Sequence, residues 1–230
     1  MGVKIAIDAG HGLNTSGKRC MKKLDKNETR EWALNDRIAD KLEVMLKSYN
    51  CEVLRVDDTT GLTDVSLANR VKKANNWGAD IYISIHHNAG VNGGSGGGTQ
   101  VYYYSNSAER KVQATDLYNN IVNVTKLVGN RSQKVIKHGY YVIKNTKAPA
   151  FLIENGFMDS ATDVPVILSE AHANKTAQGI LNFLMSQYKL GKTESNTVYK
   201  VQVGAFTDME RAEALKERLR GYGYEAVIVK

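Results

Sequence analysis

Three runs in the sequence place chemistry-bearing residues directly behind apolar, strand-like stretches. Asp8-Ala9-Gly10-His11-Gly12 closes the first strand-like stretch, Ser84-Ile85-His86-His87-Asn88 the third, and Ile153-Glu154-Asn155-Gly156 the last. Ligands of open α/β sheets gather outside the carboxyl ends of the strands. These ends offer His11, His86 or His87, and Glu154. Glu31 precedes Leu34 and Ile38 at helical spacing, so it shares the inward face of the helix they mark. Two imidazoles and a carboxylate form a common catalytic zinc set, with the fourth position left to water. A further carboxylate nearby can act as general base. Each residue also has a plainer use. A lone histidine after a strand is most often a satisfied core or loop residue. A glutamate near a helix start more often serves the helix dipole.

The elements that must position these residues alternate along the chain. Val3 to Ala9 reads as a buried strand ended by Gly10, followed by a polar segment to about Asn27. Leu34, Ile38, Leu42, Met45, Leu46 and Tyr49 then recur at helical spacing. Cys51 to Val56 is a second strand. Ser66 to Trp77 is a helix with Leu67, Val71 and Ala74 on one side, and Ile81 to Ile85 is a third strand after a Gly-Ala-Asp stop. Gly90 to Gly98 reads as a flexible glycine-rich loop. Thr99 to Tyr104 is a strand and Ala108 to Val128 a helix. Gly139 to Lys144 and Ala150 to Glu154 read as two more strands, and Val166 to Tyr188 as the last helix of this region. The expected class is α/β, a mainly parallel twisted sheet with helices on both faces. Residues 1–189 form the expected main domain and 190–198 a polar linker. Residues 199–230 read as a small βαβ unit, with strands at Tyr199–Val203 and Glu225–Val229 around a helix over Asp208–Arg220. So small a unit has little core of its own.

Composition narrows the partners. The 230 residues are 42% hydrophobic and 24% charged, with a mean hydropathy of −0.38. That is ordinary for a globular protein and excludes a disordered or collagen-like chain. No run of about 18 apolar residues is present, so no membrane insertion is expected. The start is too short and polar for a secretory leader. The expectation is synthesis in the cytoplasm, with action elsewhere only after release or lysis. Cys20 and Cys51 lack metal-ligand or disulfide-framework spacing and read as plain thiols. A net charge of +7 favours acidic partners, among them nucleic acid, anionic lipid or an anionic wall polymer. Gly12-x₄-Gly17-Lys18 superficially suggests a P-loop. Arg19 stands where the magnesium-binding Ser or Thr would be, and the segment does not open directly onto a helix. Nucleotide binding is set aside, and no nucleic-acid partner is expected.

Four blocks together resemble the zinc-dependent N-acetylmuramoyl-L-alanine amidases of the type 3 family. They are Val3 to Gly12, Glu31-Trp32-Ala33-Leu34-Asn35 through Leu42, Ser84 to Ala89, and Pro149 to Phe157. The resemblance spans roughly residues 2–187. It implies that His11, Glu31 and His86 hold Zn²⁺ and that Glu154 is the catalytic carboxylate. It implies hydrolysis of the amide between N-acetylmuramic acid and L-alanine in peptidoglycan; with it, the expected lack of a secretory leader fits a phage or prophage endolysin or a sporulation autolysin. Ala9 departs from the family's usual proline, which alters loop stiffness and no ligand. Glu28 is the rival for the carboxylate ligand, but it lies before the clear helical pattern. His87 is the rival for His86, and alternation along a strand lets only one of the two face the site. His138 and His172 have no motif around them and read as structural or surface residues. A wall-binding protein with an inactive amidase fold and a zinc peptidase of the stem peptide are the competing readings.

The tail is similar to the opening of the SPOR family, on Tyr199-Lys200-Val201-Gln202-Val203-Gly204-Ala205-Phe206 and the helix after it. The match covers about half of a usual SPOR domain. It implies peptidoglycan binding, and the missing half leaves the C-terminal unit to pair with a second copy, most simply as a homodimer, to complete itself on the amidase domain, or to stand as a remnant.

Overall fold

The computed structural model describes residues 2–193, 202–224 and 226–229. The chain divides into two compact units, Met1–Thr193 and Glu194–Lys230. The first holds β1 (Val3–Ala9), α1 (Glu31–Leu46), β2 (Cys51–Arg55), α2 (Leu67–Trp77), β3 (Ile81–Asn88) and β4 (Thr99–Tyr103). It continues with α3 (Ala108–Thr125), β5 (Val135–Lys137), α4 (Tyr141–Asn145), β6 (Ala150–Phe157), α5 (Val164–Ile167) and α6 (Glu170–Tyr188). Among the described residues no helix is long and apolar enough to cross a membrane.

The strands form one six-stranded sheet in the order β2-β1-β3-β6-β4-β5. All neighbours are parallel except β4 and β6. Strand alternation sorts the side chains into two cores. Ile5, Ile7, Ile81, Ile83, Ile85, Phe151 and Ile153 pack with apolar residues of α1, α3 and α6 on one face. Ala6, Tyr82, Tyr102, Ala150 and Leu152 pack with Val71, Ala74, Val142 and Ile143 of α2 and α4 on the other. The inner strands β1, β3, β4 and β6 are thus buried on both sides, which is why they read as apolar runs.

Three local expectations are corrected. Residues 139–144 do not form a strand: Tyr141–Asn145 is the short helix α4, whose Val142 and Ile143 are buried under the sheet's second face. Their β-favouring side chains yield to a packing need that a single helical turn meets. A strand is found instead at Val135–Lys137, paired with β4 at the sheet edge. On α2 the buried side is Arg70, Val71 and Ala74, and Leu67 is exposed.

The glycine-rich loop is held by a collar of hydrogen bonds. Asp159 Oδ2 accepts from the backbone N–H groups of Gly90, Val91 and Asn92 at 2.9, 2.9 and 2.7 Å. Asp163 Oδ2 accepts from Gly98 at 2.7 Å and Phe157 at 3.0 Å. The loop's shape is therefore set by two carboxylates that follow β6.

In the second unit, α7 (Met209–Gly221) is capped by Asp208, whose side chain accepts from the N–H groups of Glu210 and Arg211. Residues 202–206 and 226–229 carry no strand. The expected strand residues Tyr199, Lys200, Val201 and Glu225 lie outside the described residues. α7 buries none of its side chains, and Val203, Phe206, Tyr222, Tyr224, Val227 and Val229 are exposed. A strand gains from a ladder partner and an apolar face to cover, and none is formed among these described residues.

Candidate metal centre

α1 returns across the sheet, so its first turn stands at the carboxyl edge where β1 and β3 end. Glu31 is the first residue of that helix, and its carboxylate reaches the residues after both strands. Glu31 Oε1 lies 3.3 Å from His11 Nε2 and 3.1 Å from His86 Nδ1. One ligand atom from each of His11, Glu31 and His86 lies within 4.8 Å of the others. The two imidazoles meet edge to face at 4.9 Å. Glu31 is 1% exposed, and its Oε2 has no hydrogen-bond partner. Two histidine nitrogens and a buried carboxylate with an unpartnered oxygen suit zinc by ligand type and number. Burial alone would raise the Glu31 pKa, but hydrogen bonds from His11 and His86 hold it far below the usual carboxylate range. Burial works against a charged His86, but the hydrogen bond to Glu31 and the charges of Glu31, Glu154 and Asp8 together raise its pKa.

The backbone makes room for this convergence. A Cβ on Gly10 would fall 2.0 Å from Cε1 of His86, so only glycine lets the imidazole lie against the chain there. His11 adopts φ 69°, a left-handed conformation uncommon outside glycine. Arg70 of α2 braces it from below. Its Nη2 donates to the His11 carbonyl at 2.8 Å, and its Nη1 donates to the Ala9 carbonyl at 2.8 Å and to Asp8 Oδ1 at 2.5 Å. Tyr82 and Ser84 each donate to Asp8 Oδ2 at 2.8 Å. Burial would raise the Asp8 pKa, but the charges of Arg70 and His86 and the hydrogen bonds from Arg70 and Ser84 together keep the carboxyl below its ordinary value.

Alternation along β3 separates the paired histidines. His86 continues the face of Tyr82 and Ser84 and joins the group. His87 continues the face of Ile83 and Ile85 and is buried beside α1, its Nδ1 2.8 Å from Asn35 Oδ1. Asn35 Nδ2 donates to the Gly10 carbonyl at 3.1 Å, so its oxygen is left to accept from His87. Burial, with His172 next, lowers the His87 pKa to about 3 and keeps the ring neutral.

Glu154 lies beside His86 in the β3–β6 register and beside Gln100 across β4. The register slips immediately beyond, where Asn88 pairs with Phe157. Burial pushes the Glu154 carboxyl up to about 8, opposed by His86 and reinforced by Glu31. Its Oε2 has no partner. A carboxyl poised near neutral pH can both take and return a proton. Glu154, His11 and His86 line a cleft of about 550 Å³, together with Lys18, Tyr140 and Leu152.

The remaining candidates fall elsewhere. Glu28 has φ 49° and pairs with Arg19 at 3.3 Å and Lys22 at 3.8 Å, outside the group. His138 stacks on Tyr140 with ring centroids 4.0 Å apart. His172 is buried with Nε2 3.3 Å from the Asn155 carbonyl. Asn35, Arg70 and Lys18 received no role from the sequence. A charged residue on a helix's apolar side, as Arg70 is, was the available signal.

Comparison with known proteins gives the family. Residues 5–186 match the N-acetylmuramoyl-L-alanine amidase family model, and residues 195–230 match the SPOR domain. The chain belongs to the N-acetylmuramoyl-L-alanine amidase family, and it is an amidase of bacterial peptidoglycan. A sporulation-specific N-acetylmuramoyl-L-alanine amidase of Bacillus subtilis is 31% identical, across 99% of this chain and 84% of its own. The amidase CwlM of Bacillus licheniformis is 33% identical, across 99% and 85%. Among solved structures, an amidase of Clostridium difficile 630 superposes with TM-score 0.72 at 28% identity. It covers 82% of this chain and 97% of its own.

Proposed function

We propose that the enzyme is a zinc hydrolase of the bond between N-acetylmuramic acid and L-alanine, with His11, Glu31 and His86 holding the ion. The convergence of these three ligand atoms beside an unpartnered Glu154 oxygen carries the reading. When bound, zinc polarises a carbonyl and lowers the pKa of a water toward about 7. Glu154 Oε2 takes a proton from the attacking water and returns it to the departing alanine nitrogen. Burial of Glu154 keeps that proton from bulk water between the two transfers. Glu31, held ionised by both histidines, does not compete for it. Asn35 and Arg70 fix the backbone at Gly10 and His11.

Chelation is expected to abolish turnover of purified walls, and about one zinc per chain to restore it. His11→Ala and His86→Ala lose the ion, while His87→Ala keeps it. Metal content by atomic absorption checks this, and full turnover by metal-free protein sinks the zinc reading. Mass spectrometry of the products separates the amidase from a stem-peptide peptidase by the new amino terminus.

For the tail, the SPOR match and the exposed apolar residues beside α7 support glycan binding and pairing with a second copy of the tail. A chain ending at Leu190 should keep its turnover of soluble muropeptides, sediment as a monomer and bind insoluble walls less well. Equal wall binding by both chains removes the targeting role. A full-length monomer removes the pairing.

A further inference from the structure

The Gly17-Lys18 pair that superficially suggested a phosphate loop faces the metal centre. Gly17 turns the chain with φ 71°, and Lys18 lines the cleft with His11, His86 and Glu154. Its Nζ stands 3.6 Å from Glu31 Oε2, an ion-pair distance too long for a hydrogen bond. Among the described residues lining that cleft, Lys18 is the one lysine or arginine.

The segment that carries it is fixed from several sides. The Glu31 N–H donates to the Lys18 carbonyl at 3.0 Å, and the Cys20 N–H to the Thr29 carbonyl at 2.9 Å. Arg19 and Arg30 form a bridge, and Arg30 Nε donates to the Leu13 carbonyl at 2.6 Å. Asp25 accepts from the N–H groups of Asn27 and Thr29 at 3.1 and 2.7 Å. The backbone at Lys18 is thus tied directly to the backbone of Glu31, and the ammonium is delivered to one side of the cleft. The Lys18 side chain is 44% exposed. Its partner Glu31 is 1% exposed, so the ammonium reaches from the open side of the cleft toward a buried carboxylate. When a metal ion takes up the Glu31 charge, the ammonium needs another anion. Amide hydrolysis creates one in the same cleft, first on the carbonyl oxygen and then as a carboxylate.

We propose that Lys18 is a further catalytic residue of this amidase, donating from Nζ to the scissile carbonyl oxygen as negative charge builds on it. The inference rests on the zinc-amidase reading above. Water adds to the amide carbon as Glu154 takes one of its protons, the C–N bond breaks as Glu154 returns that proton to the departing nitrogen, and the acid so formed gives its remaining proton to the released amine. Lys18 remains an ammonium throughout. It then holds the lactyl carboxylate, the acyl product, until that product leaves. A donor aimed at charge that develops only in the transition state raises kcat and changes ground-state binding little.

The test compares zinc-loaded wild type with Lys18→Met and Lys18→Arg on soluble muropeptides. Lys18→Met should keep about one zinc per chain and a KM within about twofold, with kcat down roughly 10²-fold. Lys18→Arg should recover part of the loss. Calorimetric titration with N-acetylmuramic acid, which bears the free lactyl carboxylate, should show binding about tenfold weaker in Lys18→Met. N-acetylglucosamine, which lacks that carboxylate, should bind both proteins equally. A kcat within threefold of wild type, equal weakening for both sugars, or loss of zinc from Lys18→Met overturns the assignment. A wild type without zinc or turnover fails the underlying reading of the site. A fully active wild type beside an equally active Lys18→Met fails this inference alone.

Discussion

Replacing Glu154 by Gln is expected to lower kcat by roughly 10² to 10⁴ while leaving zinc content unchanged. The amide has the same shape as the carboxyl but cannot accept the proton of the attacking water. The residue lies on a strand interior, flanked by His86 and Gln100, so backbone pairing holds the variant in place. Burial currently pushes the carboxyl up to about 8, so an uncharged amide removes a destabilising demand on the fold. Thermal stability should therefore be equal or higher. Steady-state kinetics, metal analysis and a melting curve on one preparation check the three parts. Near-normal turnover makes Glu154 structural, and loss of zinc makes it a ligand.

The second large effect is expected at Arg70, which is 1% exposed and pairs with the equally buried Asp8. Arg70→Met removes the partner of a buried carboxylate, a change that costs about 3–5 kcal/mol. It also removes the donors to the carbonyls of Ala9 and His11, so zinc affinity should fall roughly 10–100-fold. The pH dependence carries a sign. The folded Asp8 pKa lies below the unfolded value, so its contribution is present above about pH 4 and is lost as pH falls through the folded pKa. In Arg70→Met burial is opposed only by the His86 charge and the remaining hydrogen bonds, so the carboxyl protonates more readily and its cost shrinks in acid. The stability gap between chelated wild type and Arg70→Met should be widest at neutral pH and should narrow below about pH 4. Urea unfolding at several pH values measures it. A gap independent of pH assigns the loss to packing alone.

The parts of the fold that were legible in the sequence are those in which burial and period agree. β1, β3 and β6 are covered on both faces and read as apolar runs, and α1 carries an unbroken inward stripe from Leu34 to Leu46. β5 escaped because three residues at a sheet edge carry no period. α4 was misread because Tyr141, Val142 and Ile143 favour strands, and only contact with α2 and the sheet makes a helical turn preferable. His11, His86 and Glu154 were legible because strand ends are where an α/β sheet gathers its ligands. Arg70 and Lys18 were not. Arg70 meets Asp8 and the Ala9 and His11 carbonyls, and Lys18 the Glu31 carboxylate, only through the fold, and no spacing along the chain announces that.

β6 lies between β3 and β4, although it is the last strand of the sheet to be synthesised. Before Ala150–Phe157 inserts, β2-β1-β3 and β4-β5 are separate ribbons with no ladder between them. Such long-range pairing is among the slowest steps a chain makes. His11, Glu31 and His86 all belong to the part made first, whereas the proposed base, Glu154, arrives on the strand that joins the ribbons. Closing the sheet and arming the site are consequently one event. A nascent or prematurely terminated chain ending before residue 150 lacks both the joining strand and the proposed base.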